Sequence, residues 1–129
     1  MRFLLVIFFF SSYFVSAQKI VKTYYDPMHR HVEEEYVASA ADGQTLDGAY
    51  RKYFESGKLA IEGSFKGGVR WGTFYEYHEN GTLIRKIDYE NGLRHGTVEV
   101  YDPQGHPIQS AFYQNNKLVD SVKSYFPTG

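Results

Sequence analysis

The densest set of side chains able to do chemistry in this chain is His29-Arg30-His31-Val32-Glu33-Glu34-Glu35. On an extended strand His29, His31 and Glu33 share a face, and two imidazoles with a carboxylate make a ligand set that zinc accepts. No outer partners that would orient metal-bound histidines are evident around them. The expectation is therefore a polar, solvated edge with no metal centre and no cofactor. His78, His95 and His106 stand near turns at dissimilar places, as exposed turn histidines do. The serines form no nucleophile elbow, and no glycine-rich stretch joins a strand to a helix to cradle phosphate. Catalysis is not expected. The remaining chemistry is aromatic: twelve tyrosines, ten phenylalanines and one tryptophan. Tyrosine and tryptophan are the residues that dominate protein-binding hot spots, so Trp71, Tyr53, Tyr75, Tyr77 and Tyr101 are the candidate contact residues.

What positions them is a repeat. Asp47–Arg70, Trp71–Arg94 and His95–Leu118 align without a gap at a period of twenty-four residues. Gly48, Gly72 and Gly96 form one column, and Tyr53, Tyr77, Tyr101 and Tyr125 another. Gly57, Gly81, Gly105 and Gly129 form a third column, and Phe65, Tyr89 and Tyr113 a fourth. A fixed period of this length marks units that cannot bury a hydrophobic face alone and stack to share one core. Trp71 occupies a column whose other members are Asp47 and His95, so the repeat itself does not call for an indole there.

Each unit reads as two strands and two turns. In the middle repeat these are a strand over Gly72–His78, a turn at Glu79-Asn80-Gly81-Thr82, and a strand over Leu83–Glu90. Asn91-Gly92 and a short link then lead to Gly96. Asn-Gly between alternating hydrophobics is a strong hairpin signal, because both central residues of a type I′ turn take positive φ. Gly57, Gly81, Gly92 and Gly105 are the expected structural turn residues. In the second strands Leu59, Ile61, Gly63 and Phe65 share a face, as do Leu83, Arg85, Ile87 and Tyr89, while Glu62, Ser64 and Lys66 oppose them. Tyr50, Phe74 and Val98 precede the tyrosine column by three residues. Either a bulge brings the two columns to one face or both faces carry aromatics.

The expected fold is all-β, with tandem antiparallel hairpins stacked into an elongated twisted sheet. Residues 1–17 read as a signal peptide: Arg2, the apolar run Phe3–Phe10, and a small-residue cleavage site at Val15-Ser16-Ala17. Residues 18–46 read as a degenerate amino-terminal capping repeat. Residues 47–129 hold three regular repeats and a half-repeat whose strand covers Val119–Phe126. With no cysteine, neither a disulfide framework nor a lipid-modified cysteine is available. A formal net charge of −1 gives no basic footprint for nucleic acid and no polybasic stretch for anionic lipid. The expected location is periplasmic or extracellular.

The order glycine, aromatic strand, Asn-Gly-x-Leu, second strand ending Tyr-x-Asn-Gly, then glycine runs here as Gly72…Tyr77…Asn80-Gly81-Thr82-Leu83…Tyr89-Glu90-Asn91-Gly92…Gly96. This pattern resembles the MORN-repeat variant family, whose bacterial members are often labelled antitoxin components of toxin–antitoxin systems. The resemblance covers about Asp47–Phe126. It implies stacked antiparallel hairpins making an elongated, twisted sheet that binds a protein, with an immunity-like role among the readings. An export signal departs from that pattern, since an antitoxin meets its toxin in the cytoplasm; an exported relative would meet its partner in the envelope or outside the cell. Glycan binding at the cell wall is the alternative, because aromatic faces also stack on sugar rings. Neither the partner nor the oligomeric state is written in the sequence.

Overall fold

A computed structural model describes residues 18–126; the signal-peptide reading of residues 1–17 and the turn glycine at 129 lie outside the described residues. Ten strands form one open antiparallel sheet. In chain order they are β1 (Lys19–Tyr24), β2 (Val32–Ala38), β3 (Leu46–Tyr53), β4 (Leu59–Lys66), β5 (Val69–Tyr77), β6 (Leu83–Glu90), β7 (Leu93–Tyr101), β8 (Pro107–Gln114), β9 (Lys117–Leu118) and β10 (Lys123–Ser124). Strands β1 to β8 lie side by side in sequence order, and β9 and β10 both pair with β8. The expected all-β stack of sequential hairpins is the fold, and no helix occurs among the described residues.

The two turns of each repeat are built differently. At Asn91-Gly92 both residues have positive φ (51° and 79°), and Glu90 pairs directly with Leu93. This is the type I′ geometry, and Gly67-Gly68 and Asn115-Asn116 share it. Such a turn leaves no slack, so Leu93–His95 is strand rather than link, and β5 and β7 start three residues earlier than expected. At the other end of the hairpin only Gly81 of Asn80-Gly81 is left-handed. There the Gly81 N–H donates to the His78 carbonyl at 2.9 Å, the His78 N–H donates to Thr82 at 2.8 Å, and the Asn80 side chain accepts from the Thr82 N–H. A five-residue loop of this kind needs one left-handed residue, and Gly57 and Gly105 supply it in the sister repeats.

The glycine column at positions 48, 72 and 96 lies inside strands, not in turns. Wherever one hairpin pairs with the next, the register slips: between Tyr36 and Ala38, between Glu62 and Ser64, and between Ile87 and Tyr89. Opposite each slip the following strand holds extra residues that include Gly48, Gly72 or Gly96, with φ of 139°, 78° and 118°. The period thus contains a built-in β-bulge. A second slip at Tyr53, Tyr77 and Tyr101 leaves Ala60, Ile84 and Ile108 unopposed. It does not turn the tyrosines toward Phe74. Both faces of the sheet carry aromatics.

Register assigns the faces. The central row of one face runs Val21, Tyr36, Tyr50, Gly63, Phe74, Ile87, Val98 and Ala111. Phe74 is 1 % exposed, with Tyr50 and Ile87 also buried. Its ring lies over Gly63, where a Cβ would come within 2.7 Å of it. Phe65 and Tyr89 meet it edge-on at centroid distances of 5.6 and 5.3 Å. The Arg70 guanidinium lies 4.8 Å from the Phe74 ring centroid and 5.1 Å from that of Tyr89, and donates to the Tyr89 hydroxyl at 2.8 Å. Arg94 repeats the stacking on Tyr113 at 4.3 Å. This aromatic face is the core of a sheet that has no second layer among the described residues.

The carboxy-terminal half-repeat is shorter than expected. Only Lys117–Leu118 and Lys123–Ser124 pair with β8, with no strand over 119–122. Asp120 occupies the bulge-glycine column, and a residue with a Cβ enters positive φ only under strain. Phe74 and Gly63 make the core testable. Phe74→Ala should lower stability by about 3–5 kcal/mol, and Gly63→Ala by about 1–3 kcal/mol through overpacking. Combining Gly63→Ala with Phe74→Leu should cost less than the sum of the single losses, as a urea-unfolding double-mutant cycle would show.

Candidate functional site

The opposite face carries one unbroken row of polar side chains. Following cross-strand partners from β1 to β10, it reads Lys22, Glu35, Arg51, Glu62, Tyr75, Lys86, Glu99, Ser110, Lys123. Wherever two charges are neighbours their signs are opposite, which is the favourable cross-strand arrangement. Lys22 Nζ lies 3.0 Å from Glu35, Lys86 Nζ 3.5 Å from Glu99, and Arg51 3.9 Å from Glu35. Hydrogen bonding to Glu35, followed by its charge, raises the Lys22 amine pKa above the ordinary lysine range.

All five candidate contact residues lie on this face. Tyr53 and Tyr75 alternate in register with Arg51 and Thr73. Tyr75 stands between Glu62 and Lys86, whose ammonium lies 6.0 Å from the ring centroid. Tyr77 donates its hydroxyl to Glu62 at 2.8 Å, and Tyr101 donates to Glu99 at 2.7 Å. Trp71 sits opposite Ser64, 37 % exposed, with the Lys66 ammonium 4.8 Å from its ring centroid. The tyrosine column is thereby tied to the charge row: the rings are half-buried and two hydroxyls are already engaged. Tyr75 makes no such hydroxyl bond among the described residues, and Trp71 has no hydroxyl to engage.

The histidine–glutamate segment is not the extended strand that would set His29, His31 and Glu33 on one face. Strand β2 begins only at Val32, because the Asp26 carboxylate accepts the backbone N–H groups of Met28, Arg30 and His31 and folds the segment into a turn. His29 stacks on Tyr24 at 4.4 Å, His31 Nδ1 lies 3.2 Å from Asp26, and Glu33 lies 3.8 Å from Lys52. Among the described residues no three histidine, aspartate or glutamate side chains converge to hold a metal ion. His106 repeats the arrangement on Asp102 at 3.1 Å. Its backbone N–H and ring hold the Asp102 carboxyl below the usual range.

Reading candidates by residue type alone missed the charges. Arg51, Tyr75, Glu99 and Lys123 are one column of the repeat, and Glu62, Lys86 and Ser110 are another. Compared unit by unit, both columns change their charge from one repeat to the next, and that was the available signal.

Burial first, and then the bonds to Glu62 and Glu99, push the Tyr77 and Tyr101 hydroxyls up to about 12. An unfolded tyrosine ionises near 10. The stabilisation is therefore whole below about pH 10 and is lost as pH climbs through about 12. Tyr77→Phe should cost about 1 kcal/mol near neutral pH and should shrink the alkaline loss of stability. Urea unfolding of both proteins at neutral and strongly alkaline pH measures the difference.

The family described as MORN repeat variant matches residues 46–66, 72–91 and 94–115. These segments coincide with the hairpins β3–β4, β5–β6 and β7–β8. No curated protein matches the chain. Repeat modules of this kind are typically non-catalytic, in keeping with a surface built of half-buried tyrosines and paired charges. The chain belongs to the MORN repeat variant family.

Proposed function

We propose that this chain is an exported, non-enzymatic repeat module that recognises a protein in the envelope or outside the cell through its charged face. The observation that carries the reading is the coincidence on one face of an alternating charge row with Trp71 and the four tyrosines. The other face commits its rings to one another and to Arg70 and Arg94. Export rests on the sequence of residues 1–17. An immunity-like role rests on the family resemblance alone, since one repeat surface serves many functions. Sugar stacking is the weaker alternative: wall-binding aromatic repeats use paired tryptophans, and this chain has one.

Affinity capture from envelope extract, comparing variants of the two faces, tests the assignment. Trp71→Ala and Tyr75→Ala should each weaken recovery of the partner by about thirty-fold, the effect of a hot spot worth about 2 kcal/mol. Arg94→Ala, on the aromatic face, should leave recovery unchanged. Equal losses from both faces would remove the assignment, and sedimentation with purified peptidoglycan would replace a protein partner with a glycan.

A further inference from the structure

The charge row has a symmetry that a row of arbitrary salt bridges would lack. Counted outward from Tyr75, the first neighbours are Glu62 and Lys86, and the second are Arg51 and Glu99. At both steps the two sides carry opposite charges, so the central five positions are their own electrostatic complement when reversed. Reversal about a centre is what a two-fold axis does. An axis lying between two stacked sheets, inclined by about 15° to the strands and passing over Tyr75, keeps strand direction to within the aligned packing angle and exchanges the two sides of the row.

We propose that two copies of this chain associate face to face through the charged face, about a two-fold axis over Tyr75. The proposal rests on the reading of that face as a recognition surface and names a second copy as one occupant. Glu62 of one copy faces Lys86 of the other, Arg51 faces Glu99, and Tyr75 faces Tyr75. The self-matched patch is isologous, the commonest kind of homodimer contact. Strand β5 lies along the axis, so its Trp71 and Tyr77, on the same face, meet near their own counterparts and supply the apolar area.

Within the central five positions of the row the charges sum to zero in each copy: Arg51 and Lys86 against Glu62 and Glu99. Several arrive already paired, as Lys86 is with Glu99 at 3.5 Å, which lowers the cost of removing water from them. The matching ends where geometry ends it. At the third step Glu35 would face Ser110, and at the fourth Lys22 would face Lys123. Four strand spacings place those lysines roughly 19 Å from the axis. An aligned packing angle of about 30° then swings opposing lysines roughly 10 Å apart. The like charges at the ends separate while the central five positions stay in register. A heterologous partner would need its own independently arranged row, whereas a second copy already has one.

The test uses charge reversal and mixing, read by sedimentation equilibrium over a range of protein concentrations. The unaltered chain should show mass rising toward twice that of the monomer and falling back as salt is added. Glu62→Lys alone places lysine against Lys86 twice across the axis, and Lys86→Glu alone places glutamate against Glu62 twice. Each variant should dimerise at least ten-fold more weakly than the parent. An equimolar mixture should recover the parent's affinity, because the reversed charge of the Glu62→Lys variant then meets the reversed charge of the Lys86→Glu variant and the remaining contact is native. Far-ultraviolet circular dichroism verifies that each variant keeps the sheet. If reversal at 62 disturbs folding through Tyr77, the pair Arg51→Glu and Glu99→Arg gives the same design at the second step. A monomeric parent, single variants that dimerise like the parent, or folded variants whose mixture stays monomeric would each overturn the dimer. Envelope capture that still depends on Trp71 and Tyr75 in a monomeric chain would overturn the dimer and leave the recognition reading standing.

Discussion

The placement of the Phe74 ring over Gly63 is the contact on which the rest of the sheet depends. With no second layer among the described residues, a large side chain can leave water only by lying flat against its own sheet under its neighbours. Gly63 vacates the space beneath, Phe65 and Tyr89 close the flanks, and Arg70 covers the top while spending its charge on two ring faces and a hydroxyl. Phe65 belongs to the repeat before Phe74 and Tyr89 to the same repeat. The buried ring is therefore shared between units, which is why a lone hairpin of this sequence has no core of its own.

That sharing demands exact register between hairpins, and the bulges provide it. A regular ladder could slide by two residues and keep its faces. Here, Gly48, Gly72 and Gly96 each mark one place where two strands are out of step, and a slid strand would ask a residue with a Cβ to take the glycine's backbone. The contacts around Gly96 show the fit: Asp88 lies where a Cβ would need to be, accepting from the Thr97 N–H and the Thr73 hydroxyl. Where the column holds Asp120 instead, the strand breaks in two.

Much of this was legible in the chain because period, turn residues and alternation are written at fixed spacing. The order of strands, the tight Asn91-Gly92 turn and the inward set Ile61, Gly63 and Phe65 follow from those patterns. Asn80-Gly81 carries the same type I′ dipeptide as Asn91-Gly92, yet it sits in a five-residue loop where only the glycine is left-handed, and the dipeptide looks the same in both. The column Gly48, Gly72 and Gly96 is plain in the sequence, but the bulge it serves shows only once two strands are paired, because the slip lies between partners and not within either one. The face of the tyrosine column stayed open because a one-residue slip in pairing cannot be seen from one strand alone. His29, His31 and Glu33 would share a face only on an extended strand, and whether that segment extends was not legible, since the reach of the Asp26 carboxylate is a property of the folded turn.

The charge row is a different kind of feature from the core. Partly exposed ion pairs contribute little to stability, typically less than about 1 kcal/mol each, so holding the sheet together is a weak reason for nine aligned polar positions. Opposite signs at neighbouring strands do forbid a register in which like charges meet, and in that sense the row supports what the bulges already fix. Register alone, however, asks only for local alternation between adjacent strands. It does not ask that Arg51 and Glu99, separated by four strand spacings and out of reach of each other, carry opposite signs about Tyr75. A relation between positions that never touch within one chain has a physical consequence only when something outside that chain reads both at once.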